Sequence, residues 1–440
     1  MIVGKGQLRI LQEPRQFYQA LLDGIRGAKR RVFLSTLYVG SEEEELVRVL
    51  GECVRRNDRL EVSILVDALR GTREAPRPSC ASLLSRLAHE HPRVQVRLFR
   101  TPSLSAWTER LVGKRLNEGW GLQHMKMYGF DDRMILSGAN LSRDYFSTRQ
   151  DRYHVFSSRQ LVDHFHAIHN AVCSMSYSLQ ARAGGEFDLA WRNALVEPRM
   201  ADFCQQTAAV VTPLLAAPTS GSETGQTHVA PIGQFTPLFP KGENRSTEHP
   251  AVVSLLRSLS APPPSTWAFT AGYFNVEPEL RSLLLAAHGD GSIITAAQEA
   301  NGFFESPGIS RHLPPAYLLL ARAFLRDLEE RGKERIRLLE WKDGVGTRGG
   351  ATYHAKGIWR FDPGRAETIV GSSNYSRRSH DLDLEMNAKI TTTDPDLIAD
   401  LKHEVEHLKQ HTTQLRLEDM KRIQIPLGVR IATYLLGGML

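Results

Sequence analysis

Cysteine is scarce in this 440-residue chain: Cys53, Cys80, Cys173 and Cys204 stand far apart, with no C-x-x-C pair. That spacing supplies neither a zinc ligand set nor a disulfide framework, and it points to a reducing compartment. Long apolar runs are missing as well. No stretch of about 18 apolar residues occurs, so no segment reads as a membrane-spanning helix. The N-terminus has neither an apolar signal core nor an Arg- and Ser-rich presequence. Met1 leads almost directly into strand-like sequence, and any targeting segment is expected to lie outside this sequence. Nor is one sign of charge in large excess. A net charge of +6 fits an anionic substrate or surface without requiring either. A long basic stripe with interleaved aromatics is absent, so no nucleic-acid partner is expected. The length suffices for two domains with full cores.

What the chain does contain is one short pattern, twice. GLQHMKMYGFDDRMILSGANLS carries His124, Lys126, Asp131 and Asn140, and ATYHAKGIWRFDPGRAETIVGSSNYS carries His354, Lys356 and Asn374. One H-x-K triplet means little. Two copies, each ahead of an apolar strand and a small-residue turn ending in N-x-S, imply two halves that jointly build one site for a phosphodiester. Side chains alternate along a strand, so the histidine and lysine of each copy face the same way. Histidine serves as nucleophile or as acid and base near neutral pH, lysine supplies a point charge, and asparagine an amide donor. Neither copy includes the carboxylate cluster that would hold magnesium, so no metal or cofactor is expected. Asp151 lies eleven residues after Asn140, and Glu385 eleven after Asn374. A carboxylate at each place can hold an imidazole in its working tautomer.

The surrounding sequence repeats as well. Strand-like segments at Val32–Tyr38, Glu61–Asp67 and Val94–Phe99 precede the first motif, and a helix over Arg159–Val172 follows it. Trp267–Phe274, Ser292–Ala296 and Ile336–Leu339 precede the second, followed by a helix over Pro395–Leu408. Strands alternating with helices predict an α/β protein of two pseudo-symmetric lobes, each a mixed, mostly parallel sheet between helical layers. The expected division is 1–206, a flexible Pro/Gly/Ser/Thr-rich linker at 207–250, and 251–440 with an apolar tail from Ile423.

These motifs resemble the phospholipase D superfamily, whose signature is H-x-K-x4-D followed by G-S-x-N. The first copy fits through His124, Lys126 and Asp131. In the second, the nearest acid, Asp362, comes one residue late and its role stays open. Gly371-Ser372-Ser373-Asn374 is regular, while Gly138-Ala139-Asn140 is one residue short. Within the superfamily the chain resembles the eukaryotic phosphatidylglycerophosphate synthases. LSTLYVG, LSGANLSRDYFSTRQDRY, EANGFFESPGISRHLPPAY and TYHAKGIW carry that likeness. The resemblance implies CDP-diacylglycerol and glycerol 3-phosphate as substrates, CMP as a product, and a double displacement through a phosphatidyl-histidine. It assigns His124 as nucleophile and His354 as acid and base, a ranking that the residues alone leave open. Asn140, Asn374 and Ser372 would hold phosphate beside Lys126 and Lys356. It further implies a peripheral site on the matrix side of the mitochondrial inner membrane. Arg143, Arg149, Arg152, Arg348 and Arg377 are candidates for acceptor contacts. A hydrolase of the same superfamily, or a transferase using serine or another alcohol, shares the chemistry up to the intermediate. The sequence sets no oligomeric state.

Other signals have blander readings. Gly344–Gly349 matches G-x-G-x-x-G but precedes a strand, so it reads as a loop near the site. His164, His166 and His169 read as helix histidines without a third metal ligand in register. Ser103–Asn117 places Leu104, Trp107, Leu111 and Val112 on one side, flanked by Arg110, Lys114 and Arg115. This suits a helix lying on an anionic membrane surface, or one packed on the body.

Overall fold

The computed structural model describes residues 1–75, 77–104, 117–198, 200–216, 225–344 and 350–421, with 425 and 429. Trp107, Leu111, Arg348, most of the Gly344–Gly349 loop and nearly all of the tail lie outside the described residues. Two nine-stranded sheets carry the fold. Part of the first runs in the order Val94–Phe99, Glu61–Asp67, Arg31–Ser35, Met127–Phe130, Arg133–Ser137, Tyr153–Phe156, Leu8–Leu11. The second repeats it as Ile336–Trp341, Asp290–Ala296, Thr266–Ala271, Lys356–Asp362, Arg365–Gly371, Glu385–Thr392, Thr227–Gln234. The internal duplication expected from the motifs is therefore a duplication of strand order.

Helices Pro14–Gly27, Glu44–Arg56 and Cys80–Glu90 cover the outer face of the first sheet. They set Phe17, Leu21, Val49 and Leu84 in one core with Val32, Ile64 and Val96. Glu248–Ser258, Pro278–Ala286 and Leu313–Glu330 do the same for the second, where Val252, Leu284 and Phe324 share a core with Phe269 and Ile293. A third core joins the lobes. It collects Phe165 and Ile168 of helix Arg159–Ser174, Val211 of Phe203–Leu215 and Leu401 of Pro395–Lys409 with residues of both sheets. Burying each such side chain contributes about 1.5–3 kcal/mol, so the lobes are held as one body by apolar burial.

Two expectations need correction. The sheets are mixed but not mostly parallel. Only the first three strands of each run quoted above pair in parallel. The motif strands and their neighbours pair antiparallel. Parallel neighbours need a long crossover, whereas each motif strand turns straight back at Asp131-Asp132 or Pro363-Gly364, and a tight turn reverses direction. The segment 207–250 is also no simple linker. Thr227–Gln234 pairs along its whole length with Glu385–Thr392 and occupies the place that Leu8–Leu11 takes in the first lobe. It is the opening strand of the second lobe, concealed by Pro231 and Gly233. Val229 N donates to Met1 O, so the nitrogen of Pro231, two residues on, faces the same edge beyond the short strand Ile2–Val3. A proline there forfeits no ladder bond.

Candidate active site

Each half hands its histidine to the other. Gln123 forms a parallel bridge with Leu384 across the lobes, and His124 N donates to Leu384 O at 2.9 Å. The next pair in that register is His124 and Glu385, and His124 Nδ1 lies 2.9 Å from Glu385 Oε1. The second half mirrors this. Thr352 and Tyr353 pair in parallel with Arg149 and Gln150, and His354 N donates to Gln150 O at 2.8 Å. The next pair is His354 and Asp151, with Nδ1 2.7 Å from Asp151 Oδ2. The two carboxylates noted for their common offset from asparagine thus meet imidazoles of the opposite lobe, and Nε2 of each ring is turned away from its carboxylate.

Both rings line one cleft of about 440 Å³, with Asn140 and Asn374 also on its wall. Lys126 and Lys356 are fully buried beneath. Lys126 Nζ donates to His124 O at 2.7 Å. Lys356 Nζ lies 2.6 Å from His354 Nδ1 and 3.6 Å from Asp151. Tyr145 Oη stands 3.3 Å from His354 Nε2 and receives the amide of Asn140 at 3.2 Å. Burial, then the Lys126 ammonium, holds His124 well below the usual histidine range. Burial and Lys356 do the same to His354. Burial pushes Glu385 up to about 7 and brings Lys356 down to about 8. At neutral pH the resting cleft therefore holds two neutral imidazoles, and Nε2 of His354 is already approached by Tyr145 Oη and, at 3.2 Å, by Lys356 Nζ.

Several expected site residues lie elsewhere. Asp131 sits at the far end of the strand Met127–Phe130, with φ 51°, and accepts backbone N–H bonds from Lys29, Arg30 and Arg31 at 2.7–3.0 Å. It ties the hairpin turn to the start of Arg31–Ser35 and takes no part in the cleft. Asp362 has the matching job, accepting Ser265 Oγ at 2.6 Å beside strand Thr266–Ala271. Its shift by one residue is therefore harmless to the site. Ser372 is fully buried and does not line the cleft; its hydroxyl exchanges bonds with the backbone of Met386 and bears on Glu385, the partner of His124. Arg152 is fully buried between the lobes against Glu404, and Arg143 and Arg377 are exposed outside the cleft. Of the described arginines expected near an acceptor, Arg149 lines the cleft. His169 is clamped between Ser35 and Ser63, 2.8 Å from each hydroxyl, as a core histidine.

The place of Asp131 has a measurable consequence. Asp131→Ala leaves three backbone donors without their acceptor, at a cost of about 1–3 kcal/mol. A lowered unfolding midpoint with kcat per folded molecule within about twofold of wild type is the expected result; a collapse of kcat at full stability would return Asp131 to the chemistry.

Other cleft residues went unnoticed in the sequence. Arg70 stacks over the Tyr38 ring at 4.0 Å and donates to Glu74 at 2.9 Å. Arg73 meets Glu118 at 3.0 Å, and Arg378 meets Asp383 at 3.3 Å. Tyr38 and Tyr273 follow corresponding strands and line the cleft from opposite lobes. Tyr273 stands edge-on to His354, with ring centroids 5.5 Å apart, and packs on Phe303 and Tyr317. The loop Glu299–Tyr317, noted for its likeness, thus borders His354.

A duplicated sheet with two histidines converging on one cleft defines a phospholipase D-like protein. Consistent with this, residues 21–172 match the family described as "Cardiolipin synthase, PLD-like domain". The fold matches phosphatidylserine synthase of Haemophilus influenzae Rd KW20 with a TM-score of 0.77 at 21% identity, covering 100% of this chain and 97% of that one. In sequence the chain is 41% identical to the CDP-diacylglycerol–glycerol-3-phosphate 3-phosphatidyltransferase of Saccharomyces cerevisiae, over 98% of this chain and 88% of that protein. It is 32% identical to the mitochondrial protein of that name from Homo sapiens, over 99% and 83%. The chain belongs to the CDP-diacylglycerol–glycerol-3-phosphate 3-phosphatidyltransferase family.

Proposed function

We propose that the chain transfers the phosphatidyl group of CDP-diacylglycerol to glycerol 3-phosphate, releasing CMP and committing lipid toward phosphatidylglycerol and cardiolipin. The observation that carries this reading is the pair of imidazoles on one cleft, each oriented by a carboxylate of the other lobe. In the first step His124 Nε2 attacks the lipid-bearing phosphorus. A P–N bond forms, the P–O bond to CMP breaks, and its electron pair leaves on the CMP phosphate. In the second step His354 takes the proton of the sn-1 hydroxyl, that oxygen bonds to phosphorus, and the P–N bond breaks to restore His124; His354 then passes the proton to water and is neutral again. Glu385 supports the positive charge that develops on the His124 ring, and Asp151 does so for His354. The lysines and asparagines would steady the phosphoryl oxygens.

We place this activity on the matrix side of the mitochondrial inner membrane as a peripheral protein, as the lipid donor and the mitochondrial relatives suggest. Among the described residues no helix is long and apolar enough to cross a membrane. Phe304, 44% exposed next to the cleft-lining Phe303, suits contact with lipid.

The test is to supply CDP-diacylglycerol with glycerol 3-phosphate, serine, phosphatidylglycerol or no acceptor, each with and without EDTA. Phosphatidylglycerophosphate and CMP formed only with glycerol 3-phosphate, and undiminished in chelator, are expected. Phosphatidic acid released at the same rate whatever the acceptor would make the chain a hydrolase.

A further inference from the structure

The two half-sites carry one ion pair in mirrored places with the charges exchanged. Counting from the motif asparagines, Asp144 and Arg149 of the first half correspond to Arg378 and Asp383 of the second. Each couple meets beside the cleft, Arg149–Asp144 at 3.4 Å and Arg378–Asp383 at 3.3 Å. Position 149 lies two residues before Asp151, and position 383 two before Glu385, so each side chain shares a face with the carboxylate that holds a histidine. The half-site around His354 therefore has a cation at this inner place, contributed by the first lobe, and the half-site around His124 an anion, contributed by the second. The duplication alone would make the halves alike; this exchange gives the cleft an electrical direction.

Of the four cleft arginines among the described residues, Arg149 is the least neutralised. Arg70 and Arg73 are hydrogen-bonded to Glu74 and Glu118, and the partner of Arg378 is the buried Asp383. The carboxylate beside Arg149 is 61% exposed and screened by water, while the Arg149 side chain is only 14% exposed. Its Nε is anchored on Thr352 Oγ1 at 3.0 Å and its guanidinium lies 4.8 Å over the Tyr145 ring. Gly302 forms the adjoining wall. A methyl group there would come within 3.1 Å of Arg149 Nη2 and 3.2 Å of Tyr273 Oη. The bare backbone keeps open a space on which a fixed guanidinium and a phenol converge. A guanidinium binds a phosphate through two parallel bonds.

We propose that Arg149, with Tyr273 and the bare backbone of Gly302, is the phosphate subsite that selects the acceptor, holding the phosphate of glycerol 3-phosphate while its hydroxyl faces His354. The inference rests on the phosphatidyltransferase reading and deepens it. Departing and entering groups both occupy the side opposite the nucleophile. CMP and glycerol 3-phosphate each bring a phosphate there, and one cation serves them in turn. A neutral alcohol gains nothing from it.

The test is a competition. Wild type and variants of the full chain receive CDP-diacylglycerol in mixed vesicles with glycerol 3-phosphate and glycerol together, and the ratio of phosphatidylglycerophosphate to phosphatidylglycerol is measured. This ratio reports how the intermediate partitions, whatever the speed at which it forms. Arg149→Met is expected to lower it about 100-fold and Arg149→Lys to recover part of the loss. Asp144→Asn, which removes the competing carboxylate at an exposed position, is expected to raise it about two- to fivefold. An unchanged ratio in Arg149→Met overturns the proposal. If that variant does not fold, an unchanged or lower ratio in Asp144→Asn overturns it instead. A wild type that makes no phosphatidylglycerophosphate overturns the assigned reaction itself, and the subsite with it.

Discussion

Alanine at His124 is expected to stop phosphatidyl transfer, with a loss of roughly 10⁴-fold or more in kcat and little change in fold. Removing a nucleophile that acts as part of a unit costs about this much in enzymes of comparable logic. Alanine at His354 is expected to cost about 10²–10⁴-fold, the range for losing a general acid or base, and to fall mainly on the acceptor step. The two variants separate on a covalent readout. With acyl-labelled CDP-diacylglycerol and no acceptor, His354→Ala should accumulate labelled protein and release CMP, whereas His124→Ala should do neither. Label on His124→Ala instead would exchange the roles. The pH dependence belongs to the pair rather than to one ring. Burial depresses His124 and raises Glu385 to about 7. As pH falls through neutrality the pair takes up a proton, Glu385 loses its charge, and support for the ring weakens. kcat/KM should rise with pH up to about 7 and fall again above about 8, where Lys356 loses the charge that steadies the phosphoryl oxygens. Glu385→Gln should lower the maximum and erase the acid limb.

The second large effect concerns stability. Glu404 is buried and receives Arg152 Nε and Nη2, His154 Nε2 and Trp359 Nε1, each at 2.9 Å. Arg152 also donates to Ile369 O at 2.7 Å and lies 3.8 Å over the Trp359 ring. A methyl group on Gly357 would come 1.8 Å from Arg152 Nη1, so the residue after Lys356 leaves room for this guanidinium. Burial alone would raise Glu404, but Arg152 and then His154 outweigh it and hold the carboxyl far below its usual range. A depressed carboxylate adds stability that is present above its unfolded pKa and is lost on acidification. Arg152→Met or Glu404→Gln is expected to destabilise by about 3–5 kcal/mol, because each strands a buried partner. The double variant should cost clearly less than the sum of the two. Denaturant unfolding near neutral pH measures this, and additive effects would mean that the two groups do not act together. Arg152 directly follows Asp151, so the same contact also keeps the first lobe's carboxylate in place against His354.

The histidines, lysines and asparagines were legible because each set is local in sequence and its repetition is unusual. The strands were legible from apolar runs. The exchange between lobes was not, because an acid eleven residues from an asparagine gives no sign of which half it serves. Asp131 was misplaced for the opposite reason: nearness to His124 along the chain suggested chemistry, yet a strand carries it to the far end of a hairpin. Arg70 and Arg73 reach the cleft from a segment with no motif of its own, while Arg378 stands four residues after Asn374 beside the exposed Arg377, with nothing in the sequence to tell the two apart. Thr227–Gln234 was hidden by composition, since a strand whose outer neighbour is only two residues long tolerates, beyond that neighbour, a proline that usually signals a break.

Because each imidazole is completed by a carboxylate from the other lobe, one lobe alone has a histidine without its orienting acid and an acid without its histidine. Two copies of one lobe, related by a twofold axis, would complete each other in the same way. The covalent tether turns that dimerisation into an internal contact at fixed effective concentration, so the site survives dilution that would scatter a pair. It also frees the halves from identity: a dimer of one sequence must place the same residue at both inner positions, whereas this chain can hold Arg149 at one and Asp383 at the other.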